Sequence, residues 1–160
     1  MSRTHRILRV LITAAIALFA PLTFTTPANA WDAKECTNSA HKEFDTTGTN
    51  VTVYIQLCVW RTGSTYDAEA YVNWGGGGGL RKFDAFRMEV RLEKNDAAMS
   101  YNDCNLVSAI NENSTGSRDC GTAARSGSGS GWTADATVLY NLDLDGEGEK
   151  FWDLTGTPKI

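Results

Sequence analysis

Histidine is almost missing from this chain. Only His5 and His41 occur in 160 residues, and His5 falls in an N-terminal stretch that reads as a targeting signal. The scarcity excludes a zinc site built on paired histidines. It also leaves Ser-His-Asp or Cys-His catalysis with one imidazole, His41, in the polar run Ser39-Ala40-His41-Lys42-Glu43, which has no nucleophile elbow. Cys-x-x-Cys pairs are absent too, which argues against a structural zinc site or a thioredoxin-like redox centre. Helical periodicity is lacking throughout, and only one long apolar run exists, from Leu11 to Ala20.

That run is preceded by Arg3, Arg6 and Arg9, broken by Pro21 and followed by Ala28-Asn29-Ala30, the small-x-small pattern a signal peptidase accepts. Residues 1–30 are therefore expected to be a cleaved signal peptide, and 31–160 a single secreted domain without a membrane anchor. Cleavage would remove three of the 15 basic residues, leaving 12 against 19 acidic ones and a formal charge of −7. Such a field repels phosphate backbones and anionic membranes, so neither nucleic acid nor membrane is expected as a partner.

An exported chain with four cysteines, Cys36, Cys58, Cys104 and Cys120, is expected to carry two disulfides, for which three connectivities exist. Pairing neighbours closes two short loops rich in turn residues, which favours Cys36 with Cys58 and Cys104 with Cys120. On the loop-entropy model the second closure contributes roughly 3 kcal/mol.

Strict alternation marks the strands. Val51, Val53, Ile55, Leu57 and Val59 share one face of the first, with Thr52, Tyr54, Gln56, Cys58 and Trp60 opposite. Tyr66 to Trp74 and Phe86 to Glu93 repeat the pattern, the latter interleaving Phe86, Met88, Val90 and Leu92 with Arg87, Glu89, Arg91 and Glu93. A fourth run extends from Trp132 to Leu144, and Glu149 to Leu154 would close a hairpin on it. A weaker strand is expected near Ala97 to Tyr101, while Leu106 to Ile110 reads as a strand or one helical turn. Gly75 to Gly79 and Ser126 to Gly131 read as permissive connections, the former within a hairpin, and Gly156-Thr157-Pro158 as a tail.

Several antiparallel strands without amphipathic helices predict an all-β, two-sheet antiparallel sandwich of immunoglobulin-like or jelly-roll-like layout. Cys58, Trp74 and Cys104 stand in the order of an immunoglobulin core. Cys58, however, shares its face with Gln56 and Tyr54 and so points away from the space between the sheets. A bridge to Cys36 would then draw the N-terminal segment across that outer face.

Two features could carry binding. Asp143, Asp145, Glu147 and Glu149 alternate with Leu144, Gly146 and Gly148 in the manner of an oxygen-rich calcium loop, although Leu154 stands where a closing glutamate is needed. Calcium is thus one reading and a solvated hairpin turn the other, with no other cofactor indicated. Tyr54 and Trp60, on the less apolar face of a strong strand, would suit carbohydrate stacking or a protein contact, or else burial under the N-terminal segment. Glu89 and Glu93 could be paired acids, but Arg87 and Arg91 between them point to a cross-strand ion-pair face. Asn50-Val51-Thr52 and Asn113-Ser114-Thr115 fit the N-glycosylation pattern.

The succession Cys58-Val59-Trp60, Phe83-Asp84-Ala85-Phe86-Arg87 into Val90-Arg91-Leu92, and Trp132-Thr133-Ala134-Asp135-Ala136-Thr137 with Tyr140 and Asp143 to Gly148 resembles small secreted proteins of filamentous soil bacteria. The resemblance implies export and a compact β domain and transfers no site. The expectation is therefore a secreted, non-catalytic binding or interaction module for an extracellular protein or carbohydrate. A small inhibitor or toxin-like effector using Asn105 to Asp119, or a minimal hydrolase, are the alternatives.

Overall fold

The computed structural model describes residues 32–160; the expected signal peptide lies outside the described residues. Ten strands and one short helix follow in order. They are β1 (Ala33–Cys36), β2 (Ala40–Phe44), β3 (Val51–Thr62), β4 (Thr65–Gly75), β5 (Phe83–Lys94), β6 (Ala97–Asn105), α1 (Val107–Glu112), β7 (Thr115–Gly121), β8 (Arg125–Ser126), β9 (Trp132–Leu142) and β10 (Lys150–Asp153). All pairings are antiparallel. The first sheet runs β1-β3-β4-β7, with β2 also on β3 and β8 also on β4, and the second runs β10-β9-β5-β6. The expected two-sheet sandwich is what the chain forms.

Alternation sets the core. Val51, Val53, Ile55, Leu57 and Val59 of β3 and Ala68, Ala70, Val72 and Trp74 of β4 are buried against Phe86, Met88, Val90 and Leu92 of β5 and Ala134, Ala136 and Val138 of β9. Each large aliphatic side chain so removed from water contributes about 1.5–3 kcal/mol. Tyr66 and Trp132 stack across the sandwich, centroids 4.2 Å apart and planes 9° from parallel. Gly116 of β7 lies under the Trp74 indole so closely that a Cβ there would enter the ring, which explains a glycine inside a strand.

Both disulfides pair neighbouring cysteines, Cys36 with Cys58 and Cys104 with Cys120. The first does not draw the N-terminal segment over the sheet. Cys36 lies opposite Cys58 in the β1–β3 ladder, so the bridge joins adjacent strands within one sheet, and an immunoglobulin-type core bridge through Cys58 is ruled out. The second ties β6 of one sheet to β7 of the other.

Several local expectations are corrected. Gly75 to Gly79 joins β4 to β5, strands of different sheets, and is no hairpin. Its glycines have work to do. Gly77 and Gly78 donate to the carbonyls of Ser114 and Ile110, and a Cβ on Gly77 would strike the Ile110 and Asn113 carbonyls, so the linker lies flat against the end of α1. Of the two readings of Leu106 to Ile110 the helical turn is what forms: Leu106 caps the start of α1 and is buried like Ile110 one turn on. Leu144, counted in the apolar row of the fourth run, is 85% exposed, since β9 ends at Leu142 and the chain turns through a positive φ at Leu144. The C-terminal tail is not loose. Leu154 and Thr157 donate to the carbonyls of Ala136 and Ala134, and Ile160 exchanges hydrogen bonds with Trp132, extending the β9 ladder to the last residue.

Candidate functional site

The predicted ligand-facing aromatics part company. Tyr54 is 45% exposed and stacks on His41 of β2, centroids 5.6 Å apart, whereas Trp60, on the same face of β3, is only 7% exposed. Lys34 of β1 lies opposite Trp60, and its ammonium sits 4.2 Å from the indole centroid. Tyr71 of β4 flanks the same indole at 6.4 Å. An edge strand short enough to be overlooked thus supplies the cover, and the two residues do not form one exposed platform.

The acidic turn also disperses. Lys150 pairs with Asp145 at 3.6 Å and contacts Glu147, Asp143 lies 3.7 Å from Arg81, and Asp145 accepts the Glu147 amide at 2.8 Å. These cations supply part of the counter-charge that calcium would have offered. Among the described residues no three acids, histidines or cysteines converge as a metal cluster. Asn105 to Asp119 is not a projecting loop: it contains α1, with Ile110 buried, and most of β7. Of the glycosylation candidates, Asn50 and Asn113 are both exposed, and their side-chain amides donate to Glu43 and to the Ala109 carbonyl.

A site that the sequence reading did not assemble lies on the outer face of the second sheet. The registers of β10, β9, β5 and β6 lay out its rows. Phe151, Leu139, Arg87 and Asn105 form one row, Asp153, Thr137, Glu89 and Asp103 the next, and Asp135, Arg91 and Tyr101 a third. Arg91 sits at the centre of the expected ion-pair face. Its guanidinium reaches Glu89 at 2.9 Å, Glu93 at 3.1 Å and Asp135 at 2.9 Å, and also donates to Thr137 at 3.3 Å. Burial disfavours its charge, but the hydrogen bonds to Glu89 and Glu93 and the carboxylate charges outweigh that and raise its pKa, so Arg91 is a permanently charged anchor.

Arg87, four residues away on the same face, has no ion-pair partner among the described residues and is exposed. It lines a shallow dish of about 190 Å³ together with Glu89, Arg91, Asp103, Thr137, Leu139 and Phe151. Phe151 is 65% exposed at the β10 edge and Tyr101 67% exposed on β6. Their Cα positions stand at diagonal corners of the face, about 20 Å apart on ordinary strand spacing and rise. Two flat rings therefore flank a row of hydrogen-bonding groups on a rigid sheet. Tyr101 ends the weaker strand expected near Ala97 to Tyr101 and Phe151 falls in the closing one, and alternation puts both on the charged face once the register is known.

The outer face of the first sheet holds a different group. Asp67 and Glu69 of β4 line a second depression of about 190 Å³ beside Trp60. The Tyr71 hydroxyl donates to Glu69 at 2.8 Å, and burial, then that bond and nearby carboxylates, push its pKa up. The Asp67 carboxyl is raised as well, by burial first and the Glu69 charge second.

No family model, curated protein or solved structure matches the chain, so its own geometry is what bears on function.

Proposed function

We propose that the chain is a secreted, non-catalytic binding module that takes a neutral carbohydrate on the outer face of its second sheet. The observation that carries this reading is a pair of exposed rings on one face, Phe151 lining a dish in which Arg87 has a free guanidinium and Asp103, Glu89 and Thr137 offer acceptors and a hydroxyl, and Tyr101 beyond it beside Arg91. Aromatic faces stack on the apolar sides of sugar rings, and the polar groups between them bond hydroxyls and fix orientation. Across these rows and the next, which holds Glu93, two arginines stand among five acids, Glu89, Glu93, Asp103, Asp135 and Asp153. That balance opposes polyanionic glycans.

Export is part of the same proposal. It is supported by the N-terminal signal pattern and by two disulfides, which persist in oxidising compartments. Among the described residues no helix is long and apolar enough to cross a membrane.

The test is calorimetric titration of the oxidised protein with neutral and acidic oligosaccharides. Binding of a neutral oligomer is expected to weaken about tenfold, or ~1.4 kcal/mol, in each of Phe151→Ala, Tyr101→Ala and Arg87→Ala. Absence of binding across neutral glycans, or binding indifferent to all three substitutions, would overturn the proposal.

A further inference from the structure

A larger cavity opens elsewhere, on the side of the sandwich where the edge of the first sheet is interrupted. β1 and β2 both pair with β3, and between them Thr37 stands in for a strand residue. Its amide donates to the Leu57 carbonyl at 2.8 Å, its hydroxyl accepts the Leu57 amide at 3.0 Å, and its carbonyl accepts the Gln56 side chain at 3.0 Å. Asn38 and Ser39 bow outward from there. The space left between this bow and the C-terminal segment is about 480 Å³, within the usual range of small-molecule pockets.

Ala40 and Pro158 offer apolar surface at the mouth, above a floor of the buried Ile55, Leu57 and Leu154, while Thr37, Asn38 and Ser39 form a polar rim. Among the described residues no charged one lines the cavity. Both walls are fixed before anything binds. The Cys36–Cys58 bridge holds one, and the other is held by Leu154 to the Ala136 carbonyl at 3.0 Å and by Thr157 to the Ala134 backbone at 2.9 Å in both directions. A preformed space of this kind spares a ligand the cost of ordering the protein.

We infer that this side cleft binds a small neutral amphipathic molecule, its apolar body against Ala40 and Pro158 over the Leu154 floor and its hydroxyl or amide end at Asn38 and Ser39. The side chains of these two residues make no hydrogen bond within the described chain and are free to take that end. Charge is selected against by the lining itself, since a carboxylate or ammonium would lose water and find no counter-ion.

Amide-resolved NMR of the oxidised protein, titrated separately with 1-hexanol, hexanoate and hexylammonium, tests the inference. Saturable shifts are expected for 1-hexanol at Thr37–Ala40 and at Thr155 and Gly156, with the two ions at least about tenfold weaker for want of a counter-ion. Ser39→Trp, which fills the mouth from an exposed position, should abolish the shifts, and unchanged β5 and β9 resonances would show that the fold persists. If that variant does not fold, the comparison of alcohol with ions on the unaltered protein still decides. Equal response to all three probes, shifts spread over the outer faces, or no saturation at millimolar 1-hexanol would overturn the assignment. The cleft and the dish on the second sheet's outer face share no lining residue, so glycan binding and hexanol binding can succeed or fail separately.

Discussion

The two outer faces of the sandwich follow the same alternating rule, yet one is closed by its own chain and the other is left open. On the first sheet Lys34 covers Trp60, His41 stacks on Tyr54, and Glu69 takes the Tyr71 hydroxyl. On the second, Arg91 saturates its acids while Phe151, Tyr101 and Arg87 remain uncommitted. Aromatic content on an outward face is therefore no guide to binding by itself. What decides is whether a neighbouring strand carries a side chain long enough to lie over the ring.

Stability should split the faces most strongly. Trp60→Ala removes a buried indole together with the contacts it makes with Lys34 and Tyr71, and is expected to cost about 3–4 kcal/mol in denaturant unfolding. Phe151→Ala, on the open face, should stay within ~0.5 kcal/mol of the parent. Equal losses would mean that Phe151 is structural and would remove it from the proposed site.

The two arginines sharpen the contrast within the open face. Arg91→Ala leaves Glu89, Glu93 and Asp135 facing one another without their cation, and should lower stability by about 1–2 kcal/mol. Arg87→Ala should leave stability nearly unchanged and show itself only in ligand affinity. A denaturation series on both variants, read beside the glycan titration, separates an anchoring from a recognising guanidinium. As the matching control on the closed face, Tyr54→Ala should leave glycan affinity unchanged.

Much of this arrangement could be read from residue order, and the limits have physical causes. The runs Val51 to Trp60, Tyr66 to Trp74 and Phe86 to Glu93 announce themselves because half-burial imposes a period of two. Edge strands obey no such rule. β7, with the sequence Thr-Gly-Ser-Arg-Asp-Cys-Gly, is exposed along most of its length and needs no apolar row, and β1 is only four residues long. The disulfide pairing followed from loop length, but its direction did not, since whether Cys36 lies beside Cys58 or above it depends on the missed strand. The candidate site failed to emerge for a related reason. Arg87 and Tyr101 sit on the consecutive strands β5 and β6 and Phe151 on the distant β10, and only register brings the three to one face.

The smallest expected effect concerns the closed face and its pH dependence. Asp67 lies beside Trp60 and Glu69, and its carboxyl is raised above the usual 3.8 by burial first and the Glu69 charge second. A raised acid binds its proton more tightly in the folded chain than in the unfolded one. Folding therefore loses stability as pH rises from about that value through the folded-state pKa, and the deficit persists at neutral pH. Asp67→Asn abolishes the titration while keeping the shape. It should be more stable than the parent at pH 7, by about 0.5 kcal/mol because the group is largely solvent-screened, and no more stable at pH 3, where the parent carboxyl is protonated in both states. Thermal unfolding at the two pH values measures the difference directly. A gain of equal size at both would show that the carboxylate charge is not what strains this face, and a loss at pH 7 would mean that Asp67 makes a favourable charged contact there.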